Sequence, residues 1–217
     1  MNILVCGDSH SNIFKYCNNK QKEYIFDVKI VSGATAQGAV NPNSKTNALN
    51  IFTNKINNSK HDKLLIMLGE VDCGFVIWVR SKKYNISVDE QIKNSINNLF
   101  KFLKNIQKYN KYKNQDIILA GAPLPTIKDS TNKKFLMGQR SEVNVSQLKR
   151  TKKTLEYNKI LKNKCKRYSY HYIDINKYII DKNIVNDKYL NKDPYDHHLD
   201  KESTYIFWLN ELKKILN

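Results

Sequence analysis

Short apolar runs alternate with longer amphipathic segments along the whole chain. Five runs are rich in Ile, Leu or Val, and most of them are closed by Gly, Pro or Asp, which is typical of buried strands that lead into turns. They lie at residues 2–6, 27–33, 63–69, 116–125 and 170–175. Because such runs are apolar at almost every position, they indicate a parallel sheet that is covered on both faces.

The segments between these runs have the periodicity of surface helices. Ser87 and Glu90 have the spacing of a capping box, and apolar residues then recur every three or four positions. Segments 146–166 and 201–216 predict two further helices. No linker rich in Gly, Pro or Ser divides the chain, so we predict one α/β domain over residues 1–217. Its architecture is a three-layer α/β/α sandwich with a central, mostly parallel five-stranded sheet.

The charge of the chain is strongly positive. It carries 37 Lys and Arg residues against 20 Asp and Glu residues, a net charge of +17. Clustered cations bind polyanions by releasing counterions, so the charge favours an anionic partner such as nucleic acid or an acidic polysaccharide. The lysines are nevertheless spread among many Asn and Ile residues, a composition that codon bias toward A and T also produces. Both interpretations stay open.

The sequence gives no sign of export or membrane insertion. The first residues lack a basic segment followed by a long apolar stretch, and no window approaches the roughly 18 apolar residues of a membrane span. We therefore expect a cytoplasmic protein. The four cysteines lack CxxC spacing, so neither a disulfide framework nor a cysteine zinc site is predicted.

Polar and glycine residues follow several of the predicted strands. Ser9, Gly33, the turn 69–73 and the loop with Pro123 and Pro125 all stand at strand ends. In parallel α/β sheets, ligands bind at the carboxyl ends of the strands, so we expect these loops at one edge. A serine hydroxyl at that edge becomes a nucleophile only with a nearby base and with donors for the oxyanion.

The segment 191–203, just before the last predicted helix, is the strongest source of such a base. A histidine with a carboxylate behind it has a fixed tautomer and a stabilised imidazolium, and this loop supplies both groups. A polar helix start capped by aspartate is one alternative. A metal cluster is another, although adjacent histidines seldom converge on one ion. The acidic and imidazole residues are Asp193, Asp196, His197, His198 and Asp200.

Four short segments, taken in chain order, resemble a known family. They are GDSH at 7–10, SGATAQG at 32–38, LGEVD at 68–72 and DHHLD at 196–200. Together they resemble the four blocks of the SGNH hydrolases, also called GDSL esterases. The resemblance implies a flavodoxin-like α/β/α fold and serine-based ester chemistry that requires no cofactor and no metal.

The resemblance also implies roles for individual residues. Ser9 resembles the nucleophile, with its own backbone N–H as one oxyanion donor, and Gly33 resembles the glycine whose N–H is a second donor. His198 resembles the general base.

The triad acid departs from the usual spacing of that family. It normally stands three residues before the histidine, where this chain has Tyr195. Asp196 is favoured for its proximity to His198, and Asp193 stays open because Pro194 bends the chain after it.

The third block departs from the family pattern as well. Its usual Asn, an oxyanion donor, is replaced by Val71, which cannot donate. Losing one such donor costs on the order of 10²–10³ in rate. Glu70, Asp72 and Arg80 are charged groups near this block. We expect them to support the site or contact substrate, although a surface salt bridge explains them equally well.

The sequence therefore predicts an esterase that hydrolyses or transfers a small acyl group. The expected substrate is an acetyl group on an O-acylated carbohydrate or a small ester, because the loops after the early strands are short and no long apolar segment resembles a lipase lid. The alternative is an SGNH-fold protein with weakened catalysis that binds a polyanion or a protein partner through its basic surface.

Overall fold

Five parallel strands form the centre of the molecule in the order β2-β1-β3-β4-β5. The structure is a computed structural model that describes residues 1–136 and 138–216. The strands are β1 (Asn2–Gly7), β2 (Ile25–Ile30), β3 (Lys63–Met67), β4 (Ile117–Ala120) and β5 (His171–Ile173). This confirms the predicted five-stranded parallel sheet, and its strand order is that of flavodoxin-like folds.

Helices cover both faces of the sheet, which confirms the three-layer architecture. Four of them, α2 to α5, pack on one face, while α1, α6 and α7 pack on the other. In the described part of the chain, no helix is both long and apolar enough to cross a membrane. The helices are α1 (Asn12–Asn18), α2 (Ala48–Asn57), α3 (Ile77–Tyr84), α4 (Val88–Gln107), α5 (Gln147–Tyr168), α6 (Asn176–Ile179) and α7 (Lys201–Leu216). A small hairpin of β6 (Ile180–Asp181) and β7 (Ile184–Val185) follows α6.

The central strand β1 is apolar at consecutive positions because each of its faces meets a separate core. Side chains alternate between the two faces of a strand. Ile3 and Val5 accordingly belong to the core under α1 and α7, whereas Leu4 and Cys6 belong to the core under α2 to α5. All four side chains are fully buried.

Four strands, β2 to β5, end earlier than the apolar pattern predicts, and the difference is largest for β2 and β4. In parallel register, β2 pairs with β1 from Asn2↔Ile25 to Gly7↔Ile30, so residues 31–33 leave the sheet as a loop. Strand β4 ends at Ala120. Proline lacks the N–H that a sheet ladder needs, which explains why Pro123 and Pro125 lie in a loop rather than in the strand.

Candidate active site

Ser9 stands at the start of a single 3-10 turn, Ser9–Ser11, directly after β1. The Asp8 carboxylate accepts the His10 N–H at 2.9 Å, and the Ser11 hydroxyl donates to the Asp8 carbonyl at 2.6 Å. These bonds hold the sharp turn. Ser9 itself is partly exposed, so its hydroxyl lies at the carboxyl edge of the sheet beside the β1/β3 junction.

His198 connects Ser9 to Asp196 through hydrogen bonds. The Ser9 Oγ lies 2.8 Å from His198 Nε2, and His198 Nδ1 lies 2.6 Å from Asp196 Oδ1. Asp196 Oδ1 also accepts the backbone N–H of His198 at 2.9 Å, while Asp196 Oδ2 accepts from the Asn191 amide at 2.9 Å. Nucleophile, base and acid groups are thus in the contact order that acyl transfer requires.

Asp193, the other candidate acid, makes hydrogen bonds within its own turn. Its carboxylate accepts the Tyr195 N–H at 2.9 Å, and its carbonyl accepts the Asp196 N–H at 3.1 Å. The resulting turn brings Asp196 rather than Asp193 against the imidazole. Asp200 fills the capping position, because its carboxylate accepts the Ser203 N–H at 2.8 Å at the start of α7.

The surroundings of the pair favour a neutral base and an ionised acid. Burial and the neighbouring His10 lower the pKa of His198, and they outweigh the opposing effect of Asp196. Burial raises the pKa of Asp196, but hydrogen bonds from the backbone N–H and ring of His198 hold it below its ordinary value. His198 is therefore ready to accept a proton near neutral pH.

The loop after β2 carries Gly33 to the same edge. Gly33 has a φ of +73°, a conformation that glycine adopts without strain. Its N–H has no hydrogen-bond partner among the described residues. The buried Asp72 holds the loop from below, because its carboxylate accepts the Ala36 N–H at 2.7 Å and the Gln37 N–H at 3.0 Å. Burial raises the pKa of Asp72 to about 6.

Arg80 reaches this loop indirectly and is not brought to Glu70. Its Nε donates to Gln91 Oε1 at 3.4 Å, and the same oxygen accepts from the Gln37 side chain at 3.1 Å. The guanidinium also lies over the Tyr84 ring. Asp72 therefore holds the loop after β2 directly, and Arg80 supports it through Gln91. Their described hydrogen bonds do not include the hydroxyl of Ser9.

The third block begins at Gly69, whose φ is +130°. A Cβ at this position would lie 2.9 Å from the ring of Tyr157, so the tight turn out of β3 requires glycine. Val71, directly before the π-helical turn Asp72–Val76, is buried, and its side chain offers no hydrogen-bond donor.

Glu70 pairs with a residue that the sequence did not single out. Arg140 donates to both oxygens of its carboxylate, at 3.0 Å and 2.6 Å. Burial raises the pKa of Glu70, but Arg140 and His10 override that effect and hold it well below its ordinary value. Arg140 lies 70 residues from Glu70 in a loop without a periodic pattern, so only the tertiary fold reveals the pair.

His10 completes a buried charged group, which we call the His10 cluster: Asp8, His10, Glu70 and Arg140. The Nδ1 of His10 lies 3.1 Å from Asp8 and 3.5 Å from Glu70, and its Nε2 lies 3.3 Å from the carbonyl of His197. Both ring nitrogens face acceptors, an arrangement that suits an imidazolium. Burial disfavours that charge, but Glu70 and Asp8 raise the pKa of His10.

Three histidines also have spacing suitable for a metal. His10, His197 and His198 each offer one ring nitrogen, and these atoms lie within 4.8 Å of one another. Both nitrogens of His10 and of His198 already have partners, however. The rings of His197 and His198 lie 4.2 Å apart between centroids and are tilted by 35°. The arrangement fits a hydrogen-bonded Ser-His pair better than a metal centre.

A small cleft opens beside the Ser9 hydroxyl. Its volume is about 250 Å³, and its lining includes Ile30, Ser32, Met67 and Pro123. This volume lies at the small end of ligand pockets, so the cleft suits a short acyl group better than a long chain.

Comparison with known proteins gives structural matches over the full chain. A GDSL-like lipase from Bacteroides thetaiotaomicron matches with a TM-score of 0.64 and 16% identity, over 98% of this chain and 86% of that one. An extracellular lipase from Streptomyces rimosus matches with a TM-score of 0.60 and 13% identity, over 99% of each chain. An acetyl xylan esterase matches with a TM-score of 0.53 and 12% identity, over 100% of both chains. No protein-family model and no curated protein sequence matches the chain.

The fold therefore belongs to the class found in GDSL-type lipases and esterases. The chain is similar throughout its length to these SGNH hydrolases in structure. This confirms the fold that the four sequence segments predicted.

Proposed function

We propose that the protein is an SGNH-type serine esterase that hydrolyses, or transfers, a small acyl group. Ser9 is the nucleophile, His198 the general base and Asp196 the triad acid. The observation that carries this proposal is the unbroken line of hydrogen bonds from Ser9 through His198 to Asp196. A protein that only bound a partner would have no need of this line.

The reaction follows from that geometry. His198 Nε2 takes the proton of the Ser9 hydroxyl as Oγ attacks the ester carbonyl, and Asp196 stabilises the imidazolium that forms. Collapse of the tetrahedral intermediate breaks the bond to the alcohol, which leaves with the proton from His198. Water, or an acceptor hydroxyl, then attacks the acyl-enzyme by the same route in reverse and restores Ser9.

Two backbone N–H groups, those of Ser9 and Gly33, hold the oxyanion in this proposal. Preorganised donors of this kind supply much of the rate enhancement in acyl transfer. Val71 contributes no third donor, so we expect a slower enzyme than a relative with asparagine there. No step uses a metal or a cofactor.

Acetyl on a carbohydrate, or on a small ester, is the substrate that the site suits best. The cleft beside Ser9 is small, with a volume of about 250 Å³. An acetyl xylan esterase has the same fold, at 12% identity.

The first test is hydrolysis of p-nitrophenyl acetate by the protein and by Ser9→Ala and His198→Ala. Both variants should lose more than about 10³-fold in kcat/KM, because each removes a member of the hydrogen-bonded line. Circular dichroism checks that the variants fold. A fluorophosphonate probe should label the protein but not Ser9→Ala.

Matched controls are Ser81→Ala and His61→Ala, which remove a serine and a histidine outside the site. Both should keep the activity and the labelling of the unchanged protein. Equal background rates in all five proteins, together with no labelling, would contradict the esterase proposal and favour the binding protein that the sequence analysis kept as its alternative.

A further inference from the structure

A second groove adjoins the Ser9 cleft and has no part in the reaction described above. We call it the side groove; it lies between residues 126–132 and 187–196 and has a volume of about 460 Å³. Asn191 and Asp196 line both the cleft and the side groove. A molecule with its ester at Ser9 can therefore extend past the triad acid into this groove.

The walls of the side groove are rich in hydroxyl and amide groups. Ser130, Thr131, Asn132 and Asn191 contribute to them. Thr126 also lines the groove, and its Oγ1 is buried without a hydrogen-bond partner in the described part of the chain. A buried hydroxyl without a partner is unfavourable, so this atom points to a polar ligand group.

An exposed aromatic pair borders the groove. Tyr195 lines it, and the Tyr195 ring lies 5.2 Å from the ring of Phe135. Phe135 is 63% exposed and Tyr195 is 39% exposed. Apolar rings beside a hydroxyl-rich groove provide the two kinds of contact that a sugar ring uses, because a sugar has apolar C–H faces and polar hydroxyl edges.

A cationic pocket of about 360 Å³ continues from the far side of the groove. Lys128 and Thr131 line both spaces. The described lining of the pocket has four cations, Lys128, Lys133, Arg140 and Arg150, against one acid, Asp129.

Part of this positive charge is compensated and part is not. Arg140 pairs with Glu70, Lys128 pairs with Asp187, and Arg150 lies 3.8 Å from Asp129. Lys133, by contrast, donates to neutral oxygens of Val143 and Asn144. The pocket therefore keeps an excess of positive charge that an anionic ligand would offset.

We propose that the side groove binds the sugar part of an anionic O-acylated oligosaccharide, with an acid group of the substrate directed to the cationic pocket. This inference rests on the proposed esterase function and names its substrate class. The sequence analysis gave an ester substrate and a polyanion partner as alternatives. In this proposal a single anionic ester takes both roles.

The kinetic test compares three acetyl esters: acetylated oligogalacturonides, acetylated xylo-oligosaccharides and p-nitrophenyl acetate. Phe135→Ala should lower kcat/KM about fivefold on both oligosaccharides, since an aromatic contact contributes about 1 kcal/mol, and should leave p-nitrophenyl acetate unchanged. The unchanged protein should prefer the acetylated oligogalacturonide, the anionic substrate, over the xylo-oligosaccharide. Lys133→Gln should lower kcat/KM about threefold to tenfold on the anionic oligosaccharide alone, and added salt should reduce the preference of the unchanged protein for it.

The controls are Lys22→Gln and Tyr109→Ala. Lys22 precedes β2 and Tyr109 precedes β4, so both lie toward the opposite edge of the sheet, and both are exposed. Neither change should alter any of the three rates. Equal loss on all three esters, or no preference for the anionic oligosaccharide, would overturn the proposal.

A binding measurement separates this inference from the esterase proposal. Calorimetry with Ser9→Ala and the same two oligosaccharides requires no turnover. Tighter binding of the anionic oligosaccharide, weakened by Lys133→Gln and Phe135→Ala, supports the groove even if no ester is hydrolysed. Absent or equal binding of the two oligosaccharides counts against it even if p-nitrophenyl acetate is a substrate.

Discussion

The His198 side and the His10 side of Ser9 differ in exposure and in charge. On one side, His198 and Asp196 are partly exposed and lie in a single short loop. On the other side, the His10 cluster is buried and joins residues from three separate parts of the chain. The first side carries the proton acceptor of the proposed mechanism, whereas the second is a network of paired polar and charged groups.

This difference shows how one site separates chemistry from support. His198 needs solvent access and a neutral ring to act as a base, and its pKa is lowered. His10 lies 4.5 Å from His198 between ring centroids, and its pKa is raised. Glu70 and Asp8 favour the charged form of His10, and a charge on His10 lowers the pKa of His198.

The largest expected effect is a loss of activity from a substitution on the His198 side of Ser9. Asp196→Asn should lower kcat/KM on p-nitrophenyl acetate by about 10³–10⁴, because an amide no longer stabilises the imidazolium of His198. Asp193→Asn is the matched control, since Asp193 caps its own turn, and it should change the rate by less than about threefold. Equal losses in the two variants would show that the loop, rather than the acid, was disturbed.

The next largest expected effect concerns the His10 cluster and is a loss of stability. Arg140→Ala leaves the carboxylate of Glu70 buried without its main partner, which should lower the free energy of unfolding by about 3–5 kcal/mol. Urea denaturation measures it.

The pH dependence of stability gives a second readout of the same pair. The folded-state pKa of Glu70 is lowered, so its stabilisation is present above the unfolded pKa and is lost as pH falls toward the folded value. Stability should therefore rise less steeply with pH in Arg140→Ala. Denaturation midpoints equal to those of Lys22→Ala at every pH would contradict a structural role for the pair.

A smaller effect is expected at Val71, next to Glu70 on the His10 side, where a substitution should raise the activity. Val71→Asn introduces the donor that the resemblance to the third family block implies at this position, and we expect kcat/KM on p-nitrophenyl acetate to rise about tenfold to 10²-fold. Val71→Ala, which adds no donor, should not increase the rate. If neither substitution raises it, the side chain at this position does not reach the oxyanion.

The smallest effect tests the electrostatic link between the two sides. His10→Asn removes a cation beside His198, so the pKa of His198 should rise and the acid limb of the kcat/KM profile should move to higher pH. Activity at about pH 5 should fall severalfold while that at about pH 8 stays unchanged. A uniform loss across the profile would instead indicate a structural role for His10.

Sequence patterns were sufficient for the sheet, and they singled out Ser9 and His198 as candidate site residues. Apolar runs locate strands because buried parallel strands leave little choice of residue type. Short elements such as α1 and α3, of 7 and 8 residues, contain too few turns to define a helix individually by periodicity. Ser9 and His198 could be predicted because each stands in a segment that resembles a family block.

Other parts of the site depend on distances that no spacing encodes. The sequence favoured Asp196 over Asp193 only by its proximity to His198, whereas in the fold the turn at Asp193 places Asp196 against the imidazole. Arg140 could not be paired with Glu70 because their contact depends on how a long irregular loop closes. Local patterns predict elements and motifs, whereas buried ion pairs depend on the assembled fold.

The hydrogen bond between Ser9 and His198 joins residues 189 positions apart in the chain. Ser9 follows the first strand, while His198 immediately precedes the last helix, which packs beside α1 on the sheet. During synthesis, the proposed nucleophile therefore leaves the ribosome long before the proposed base. A nascent chain from which His198 has not yet emerged should be inert toward esters, and hydrolysis should appear only after α7 has packed beside α1.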